Sequence, residues 1–186
     1  LSRTEMYKAN AERARQLASF ADYGEYLRSL SMTAEILPFS PLYMSRIAQL
    51  TNKSNQFNLT TLRCTQSDIE RMASAKDCIT LYGKLCDKFG DNGVVSVVSA
   101  HIADSTAHIE LWLMSCRVLK RGMEDAMMNA FVAACKNHGV REVFGYYYPT
   151  AKNKMVKDFY AQFGFVLVSE DEAGAKTYRL SVDEYA

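Results

Sequence analysis

The sequence lacks the features that mark several classes of protein. Its 22 basic and 21 acidic side chains leave a formal net charge of +1, so no global electric field would attract nucleic acid or an anionic membrane. No apolar run approaches the roughly 20 residues that a membrane-spanning helix requires, and the N-terminus is charged rather than signal-like. We therefore expect neither nucleic acid nor a membrane as a partner.

Cysteine and histidine are few and scattered. The five cysteines are odd in number and contain no C-x-x-C pair, and the three histidines do not lie near them at ligand spacing. A disulfide framework or a zinc site is therefore not expected. We predict no metal and a reducing, cytoplasmic location.

The composition that is present is typical of a globular domain. Hydrophobic residues fill 48% of the 186 positions, enough for one domain with a core and some additional helix. In the first 30 residues apolar side chains recur close to helical spacing, which predicts one helix interrupted at Gly24, or two helices. We assign residues 1–30 to a helical linker and residues 31–186 to the domain. Because the chain begins at Leu1, we expect a fragment of a longer protein or a processed chain.

The remaining pattern predicts strands and helices in the order β α α β β β α β α β β. Strands are predicted at residues 32–39, 78–87, 94–103, 107–118, 143–148, 165–168 and 177–180. Helices are predicted to begin at Ser40-Pro41, Ser67 and Gly122 and to cover residues 153–163. The turn Gly90-Asp91-Asn92-Gly93 predicts a hairpin between the second and third strands. Helices between the later strands imply an α/β fold with a mixed, partly parallel sheet.

This element order is that of the Gcn5-related acyltransferase (GNAT) fold, and one motif resembles the family's pyrophosphate-binding turn. LKRGME, residues 119–124, is similar to the pattern Gln/Arg-x-x-Gly-x-Gly/Ala between a strand and a helix. Amide hydrogens at a helix N-terminus attract anions, and Gly122 lets the backbone approach a phosphate. Glu124 departs from the pattern and would repel a phosphate. The resemblance implies cofactor binding by Val118, Leu119, Lys120, Arg121, Gly122, Met123 and Glu124.

A second motif is Asn153 followed by FYAQFGF at residues 159–165, which resembles the family's Asn…Tyr-x-x-x-Gly-Phe signature. The resemblance implies that Asn153 contacts a pantetheine arm and that Tyr160 protonates the departing thiolate. A phenol, with an ordinary pKa of about 10, suits that step. The alternative for Tyr160 is an aromatic packing role beside Phe159 and Phe163.

Longer stretches are similar to the C-terminal region of FkbH-like proteins. They are NKSNQFNLTT (52–61), DKFGDNG (87–93), SCRVLKRGME (115–124) and PTAKN (149–153). These proteins join a haloacid-dehalogenase (HAD) type phosphatase domain to a GNAT-like C-terminal domain. The family is linked to loading a glyceryl unit from a phosphorylated three-carbon donor onto an acyl carrier protein, in the biosynthesis of methoxymalonyl extender units for polyketides.

The FkbH-like resemblance implies a cofactor and two partners. The cofactor would be coenzyme A or protein-bound 4′-phosphopantetheine. The partners would be an acyl carrier protein and an upstream HAD-type phosphatase domain of the same chain. Glu124 is usual in this family, which suggests a ligand other than acetyl-coenzyme A. Because no Asp-x-Asp occurs in the chain, we expect no phosphoryl chemistry from these residues.

Five further residues are candidates for catalysis or substrate binding. Cys116, at the predicted end of the central strand, is a candidate nucleophile that carries the acyl group, with the adjacent arginine stabilising the thiolate; a buried packing role is its alternative. The amides of Asn55, Gln56 and Asn58 suit hydrogen bonds to a substrate, or else turn and capping roles. Glu110 is a candidate general base, or else a charge at the rim. Strand alternation would place it with Trp112 and Met114, opposite Ile109, Leu111 and Leu113.

Together these residues predict an acyltransferase-type domain that binds a phosphopantetheine thioester between the two central parallel strands. Two alternatives remain open. The first is a non-catalytic docking module that recruits the carrier protein to a neighbouring domain. The second is a small-molecule N-acetyltransferase, which the carboxylate of Glu124 disfavours.

Overall fold

The computed structural model describes residues 2–20 and 22–186. Residues 1 and 21, which fall in the predicted linker, lie outside the described residues. Within the described ranges the helices are α1 (Arg3–Ala18), α2 (Tyr23–Ser29), α3 (Met44–Lys53), α4 (Gln66–Ser74) and α5 (Met123–Asn137). The strands are β1 (Thr33–Leu37), β2 (Cys78–Asp87), β3 (Gly90–Ala103), β4 (Thr106–Met114), β5 (Glu142–Tyr147), β6 (Val166–Glu170) and β7 (Lys176–Ser181).

In this part of the chain the strands form one seven-stranded sheet in the order β1-β2-β3-β4-β5-β7-β6. β4 and β5 are parallel, and the other neighbouring pairs are antiparallel. α5 packs on one face of the sheet, and α3 and α4 pack on the other. The predicted mixed sheet with helices on its faces is confirmed. None of the described helices is long and apolar enough to span a bilayer.

The described residues among the first 30 form two helices, which is one of the two predicted arrangements. Ser2 and Glu5 make a reciprocal capping box at the start of α1, and the Asp22 side chain caps α2 through the amide of Gly24. The predicted interruption at Gly24 is wrong, because Gly24 lies inside α2 and the break precedes Asp22. α1 is docked against the domain, since its Arg13 is only 4% exposed.

A β-bulge in β4 changes which of its residues share a face. Successive residues of β3 pair with Leu111 and then with Ile109, so Glu110 is the extra residue. Ile109 therefore joins Trp112 in the core beneath α5, while Leu111 lies in the core beneath α3 and α4. The predicted alternation is wrong at Ile109, because a two-residue period cannot accommodate an inserted residue.

Two local predictions differ from the structure near β2. The hairpin between β2 and β3 is confirmed, but its turn lies at Lys88-Phe89, where the Asp87 side chain accepts a hydrogen bond from the Phe89 amide. α4 is capped by Thr65, in a capping box with Asp68, rather than by Ser67. The turn therefore begins at Asp87 and not at Gly90, and the cap lies two residues before the predicted Ser67.

Two further segments are shorter than predicted. β4 ends at Met114, and a 3-10 turn at Cys116–Val118 follows it. Residues 153–163, predicted as one helix, form two 3-10 turns instead, Lys154–Val156 and Tyr160–Phe163. Bonds such as Phe159 N–H to Val156 O, at 3.1 Å, close tight turns that rarely extend into long helices.

Close packing in the sheet leads to the first prediction. A Cβ at Gly145 would lie 2.7 Å from two ring carbons of Tyr160, whereas a Cβ at Gly83 would meet the flexible ends of Met123 and Met127. Gly145→Ala should lower the free energy of unfolding by about 1–3 kcal/mol. Gly83→Ala should cost less, because methionine adapts readily. Urea unfolding measures both, and equal losses would contradict a rigid contact at Gly145.

Candidate functional site

The parallel strands β4 and β5 separate towards their C-terminal ends. They pair only from Thr106 to His108, with Glu142 to Phe144. Beyond this point residues 57–59, here called the wedge segment, lie between them. The amide of Leu59 donates to Trp112 O at 3.0 Å, and the amide of Met114 donates to Phe57 O at 3.0 Å.

The wedge segment also contacts the residue that follows β5, because the amide of Tyr148 donates to Leu59 O at 2.9 Å. It therefore occupies the gap in which we expected a pantetheine arm to bind. Leu59 is fully buried and Phe57 is 5% exposed, so the gap is filled with side chains as well as backbone. The predicted position of the thioester between the two strands is wrong for this structure, because the chain itself takes up the free edge of β4.

Asn153 holds the wedge segment in place. It is fully buried, its amide donates to Asn58 O at 3.0 Å and to Tyr148 O at 2.9 Å, and its oxygen accepts from the Thr150 amide at 2.7 Å. The predicted contact between Asn153 and a pantetheine arm is therefore contradicted, since these bonds occupy both ends of its side chain.

Asn58 has a similar internal role. Its side chain is fully buried; the amide donates to Ser54 O at 3.1 Å, and the oxygen accepts from the Thr61 amide at 2.9 Å. These bonds shape the loop around the wedge segment. Asn58 is therefore not available to bind a substrate, and the alternative turn role fits it.

Tyr160 does not reach a surface or a cavity. It is fully buried, and its ring packs against Trp112, Phe159, Phe165 and Tyr178. Within the described residues its hydroxyl has no hydrogen-bond partner, and burial, with a smaller effect of Tyr148, raises its pKa. These facts contradict the general-acid role of Tyr160 and fit the aromatic packing role.

The turn that resembles a pyrophosphate site has the expected backbone. Lys120 and Gly122 are left-handed, with φ of 60° and 84°, and Gly122 precedes the first turn of α5. The Glu124 carboxylate, however, accepts a hydrogen bond from the Lys120 amide at 3.1 Å. A carboxylate of the chain therefore already occupies one amide hydrogen that a phosphate would need.

The predicted cofactor residues around this turn point in different directions. Leu119, Lys120 and Glu124 line a cavity of about 330 Å³ between α5 and residues 155–163. Val118 and Met123 are buried in the core beneath α5 and cannot contact a ligand. Arg121 does not line this cavity, and its guanidinium donates to Arg117 O at 2.9 Å. Gly122 is exposed at the start of α5.

A larger cavity, of about 600 Å³, lies beside Cys116; we call it the basic cavity. Its cationic lining residues are Arg46, Lys53, Arg117 and Lys152. Among the described residues that line it there is no carboxylate. Cys116 is exposed, and its Sγ donates to Gln56 Oε1 at 3.3 Å. Asn55 also lines the cavity. Cys116, Asn55 and Gln56 thus line the same cavity.

The remaining cysteines have environments that disfavour the thiolate. Burial raises the pKa of Cys64 to about 11 and that of Cys135 to about 12. Burial, together with neighbouring carboxylates, also raises the pKa of Cys78 and of Cys86. Cys116 is the one exposed thiol of the five, so it is the thiol that a ligand can reach most easily.

Glu110 lies in a third cavity, of about 480 Å³. Its lining includes His108 and Tyr146, which are joined by a hydrogen bond of 2.7 Å between His108 Nδ1 and the Tyr146 hydroxyl. Residues 54–56 line the basic cavity and residues 60–63 line the Glu110 cavity, so the wedge segment runs between them. Glu110 and Cys116 therefore do not share a site.

No sequence pattern indicated a role for the cations at Arg46, Lys53 and Lys152. Arg46 comes from α3, Lys53 from the end of α3, and Lys152 from the loop after β5. Lys53 and Lys152 lie in stretches that are similar to FkbH-like proteins, whereas Arg46 lies outside them. Nothing in those stretches marks the three cations as neighbours, so only the fold brings them together. Arg117, adjacent to Cys116, was the one cation of this cavity for which the sequence suggested a role. Nothing in the described residues groups three or more His, Cys, Asp or Glu side chains as a metal site would.

Comparison with known proteins concerns the fold. No protein-family model matches the chain, and no curated protein matches it. Solved structures of GNAT acetyltransferases do match. The acetyltransferase of the GNAT family from Streptococcus pneumoniae aligns with a TM-score of 0.62 at 15% identity, over 80% of this chain and 99% of that chain.

Two further structures give the same result. Ribosomal-protein-S18-alanine N-acetyltransferase from Escherichia coli aligns with a TM-score of 0.60 at 9% identity, over 81% of this chain and 94% of that one. The PaiA N-acetyltransferase from Thermoplasma acidophilum, solved in complex with coenzyme A, aligns with a TM-score of 0.58 at 15% identity, over 80% and 99% of the two chains.

The architecture is therefore that of an α/β protein with a divergent parallel strand pair at the centre of a mixed sheet. More narrowly, it is a GNAT fold with two additional helices at the N-terminus. The predicted fold class is confirmed. At these identities the likeness concerns the fold alone, so catalysis has to be argued from the site.

The burial of Tyr160 leads to the second prediction. Because its hydroxyl is buried without a partner, Tyr160→Phe should leave the free energy of unfolding unchanged or raise it by about 1 kcal/mol. Tyr178→Phe is the matched control: its hydroxyl donates to Lys157 O at 3.0 Å, so it should lose about 1 kcal/mol. Urea unfolding measures both. A clear loss of stability in Tyr160→Phe would show that its hydroxyl has a partner.

Proposed function

We propose that the chain is an acyltransferase domain that carries the acyl group on Cys116. The observation that carries this proposal is the exposed Cys116 thiol at the wall of the basic cavity. A thiol that is accessible beside a positively charged, ligand-sized cavity has the environment of a nucleophile rather than that of a packing residue. The overall GNAT fold is consistent with acyl transfer but does not specify it.

The chemistry is a thiol–thioester exchange, in which one thioester is consumed and another is formed. The Cys116 thiolate attacks the carbonyl carbon of a pantetheine thioester, a new carbon–sulfur bond forms, and the bond to the pantetheine sulfur breaks. The departing pantetheine thiolate takes up the proton that Cys116 lost. Transfer to an acceptor thiol repeats these steps in reverse. Gln56 Oε1, 3.3 Å from Sγ, would hold the resting thiol towards the cavity.

The basic cavity suits a phosphorylated cofactor, either coenzyme A or protein-bound 4′-phosphopantetheine. Arg46, Lys53, Arg117 and Lys152 can pair with phosphate oxygens. One structural neighbour is complexed with coenzyme A, which supports this class of ligand. Because the wedge segment fills the gap between β4 and β5, the arm would reach Cys116 through the basic cavity instead.

The FkbH-like assignment is supported by where its characteristic stretches lie. Residues 53–56, residues 115–117 and Lys152 belong to three of those stretches, and all of them line the basic cavity. We therefore propose the FkbH-like context for this domain: a cytoplasmic protein of methoxymalonyl extender unit biosynthesis, with an acyl carrier protein and an upstream HAD-type phosphatase domain as partners. A glyceryl unit would be the acyl group.

The third prediction tests Cys116 as the carrier. The protein is incubated with a glyceryl thioester of phosphopantetheine and, separately, with acetyl-coenzyme A, and its intact mass is measured. One acyl group should be added with at least one donor, and hydroxylamine should remove it. Cys116→Ser should abolish the addition, and Cys78→Ser should retain it. Acylation that survives in Cys116→Ser, or none from either donor, would reject the proposed carrier.

A second candidate function is a docking module without catalysis. Two observations favour it: the wedge segment fills the central gap, and the Glu124 carboxylate occupies an amide of the phosphate turn. In that case a phosphopantetheinylated carrier protein should bind, as measured by calorimetry, Cys116→Ser should leave this binding unchanged, and no acyl group should be added to Cys116. A small-molecule N-acetyltransferase is less consistent, because the wedge segment separates Glu110 from the basic cavity.

A further inference from the structure

The loop that carries Cys116 is held by the N-terminal helices. This loop comprises residues 115–122 and is called the site loop here. Three contacts reach it from α1 and α2: Met6 to Arg117, Tyr23 to Lys120, and Arg13 through Asp87 to Arg121. The contacts fall at Arg117, Lys120 and Arg121, so the helices hold the middle and the second half of the loop.

The contact through Asp87 is a buried charge cluster. The Asp87 side chain is fully buried, and Arg13 donates to both of its oxygens at 2.5 and 2.8 Å. Arg121 Nη1 lies 3.5 Å from the same carboxylate. Burial alone would raise the pKa of Asp87, but the hydrogen bonds from Arg13 and from the Phe89 amide hold it below its ordinary value. Asp87 therefore remains a carboxylate that holds two arginines.

Arg121 links the Asp87 cluster to the turn that contains Cys116. Its Nη2 donates to Arg117 O at 2.9 Å, and Arg117 belongs to the 3-10 turn Cys116–Val118. Arg13 is the bidentate partner of Asp87, while Arg121 lies at the longer distance of 3.5 Å and donates to Arg117 O. Without Arg13 the buried carboxylate would attract Arg121 more strongly, and the turn would lose that support.

Tyr23 and Met6 hold the two sides of the loop directly. The Tyr23 hydroxyl donates to Lys120 O at 2.6 Å, next to the left-handed backbone of Lys120. A residue other than glycine or asparagine is rarely left-handed unless its surroundings hold it there. Arg117 Nη1 donates to Met6 Sδ at 3.3 Å, which directs a guanidinium that also lines the basic cavity.

We propose that α1 and α2 set the conformation of the Cys116 loop, with Arg13 and Tyr23 as positioning residues. The two helices are then part of the site rather than a linker. Release of these contacts would loosen the site loop and lower the rate at which Cys116 is acylated. Only this last consequence rests on the proposed function; the conformational effect does not.

The fourth prediction compares two tyrosines of the N-terminal helices in the whole chain. Tyr23→Phe removes the hydrogen bond from α2 to Lys120 O. Tyr7→Phe removes only a hydrogen bond within α1, in which the Tyr7 hydroxyl accepts from Arg3. Tyr23→Phe should increase hydrogen exchange of the amides of residues 116–124 by about 3- to 10-fold, as expected for the loss of one hydrogen bond. Tyr7→Phe should change nothing, and other segments should not change in either variant.

The fifth prediction compares two arginines of α1. Arg13→Gln removes the bidentate pair with Asp87, and Arg15→Gln removes an exposed pair with Glu12. Arg13→Gln should increase exchange in the site loop more than Tyr23→Phe does, and Arg13→Lys should restore it in part because it retains the charge. In Arg15→Gln, hydrogen exchange in the site loop should equal that of the unsubstituted protein.

The outcomes separate the two proposals. The positioning role would be overturned if hydrogen exchange in the site loop were unchanged in both Tyr23→Phe and Arg13→Gln. It would also be overturned if exchange increased uniformly along the whole chain. If the site loop responds and Cys116 of the unchanged protein is never acylated, the positioning role stands and the proposed function fails. If Cys116 is acylated, both variants should lower the acylation rate at a temperature at which thermal unfolding shows that each variant is folded.

Discussion

The central constraint on this structure is the separation of β4 and β5. A buried strand edge cannot be left without hydrogen-bond partners, so the free edge of β4 beyond His108 needs another strand, a ligand or water. Here the chain provides the partner itself, because the wedge segment bonds to Trp112 and Met114 on one side and to Tyr148 on the other. The position of every cavity around the centre of the sheet follows from this.

The wedge segment separates the candidate functional side chains into distinct cavities. Cys116 and four cations line the basic cavity, and Glu110 lies in another cavity with His108 and Tyr146. The turn that resembles a pyrophosphate site opens towards the cavity between α5 and residues 155–163. A site that used all of these groups at once is therefore excluded in this conformation. The thiol beside the basic cavity is the place where nucleophile and charge coincide, which is why the proposed mechanism depends on Cys116 and not on Tyr160.

Local patterns predicted the elements well, and motifs predicted the side-chain roles less well. The mixed sheet, the hairpin and the helix after Gly122 follow from hydrophobic period and turn residues, which act over a few neighbours. The roles of Tyr160 and Asn153 were taken from the spacing of a motif. Both residues are fully buried here, and burial depends on distant residues such as Trp112 and Asn58. The inserted Glu110 likewise depends on the register with β3.

The sequence by itself determined the fold class and brought attention to Cys116, Asn55 and Gln56, because period, capping and local motifs are short-range properties. Only the tertiary structure decided what those residues face. The cations of the basic cavity come from separate elements of the fold. The wedge segment fills the gap between β4 and β5 in which a cofactor was expected to bind. α1 and α2 hold the site loop through Asp87 and Lys120. These are contacts between residues distant in the chain, and they exist only once the sheet has set their positions.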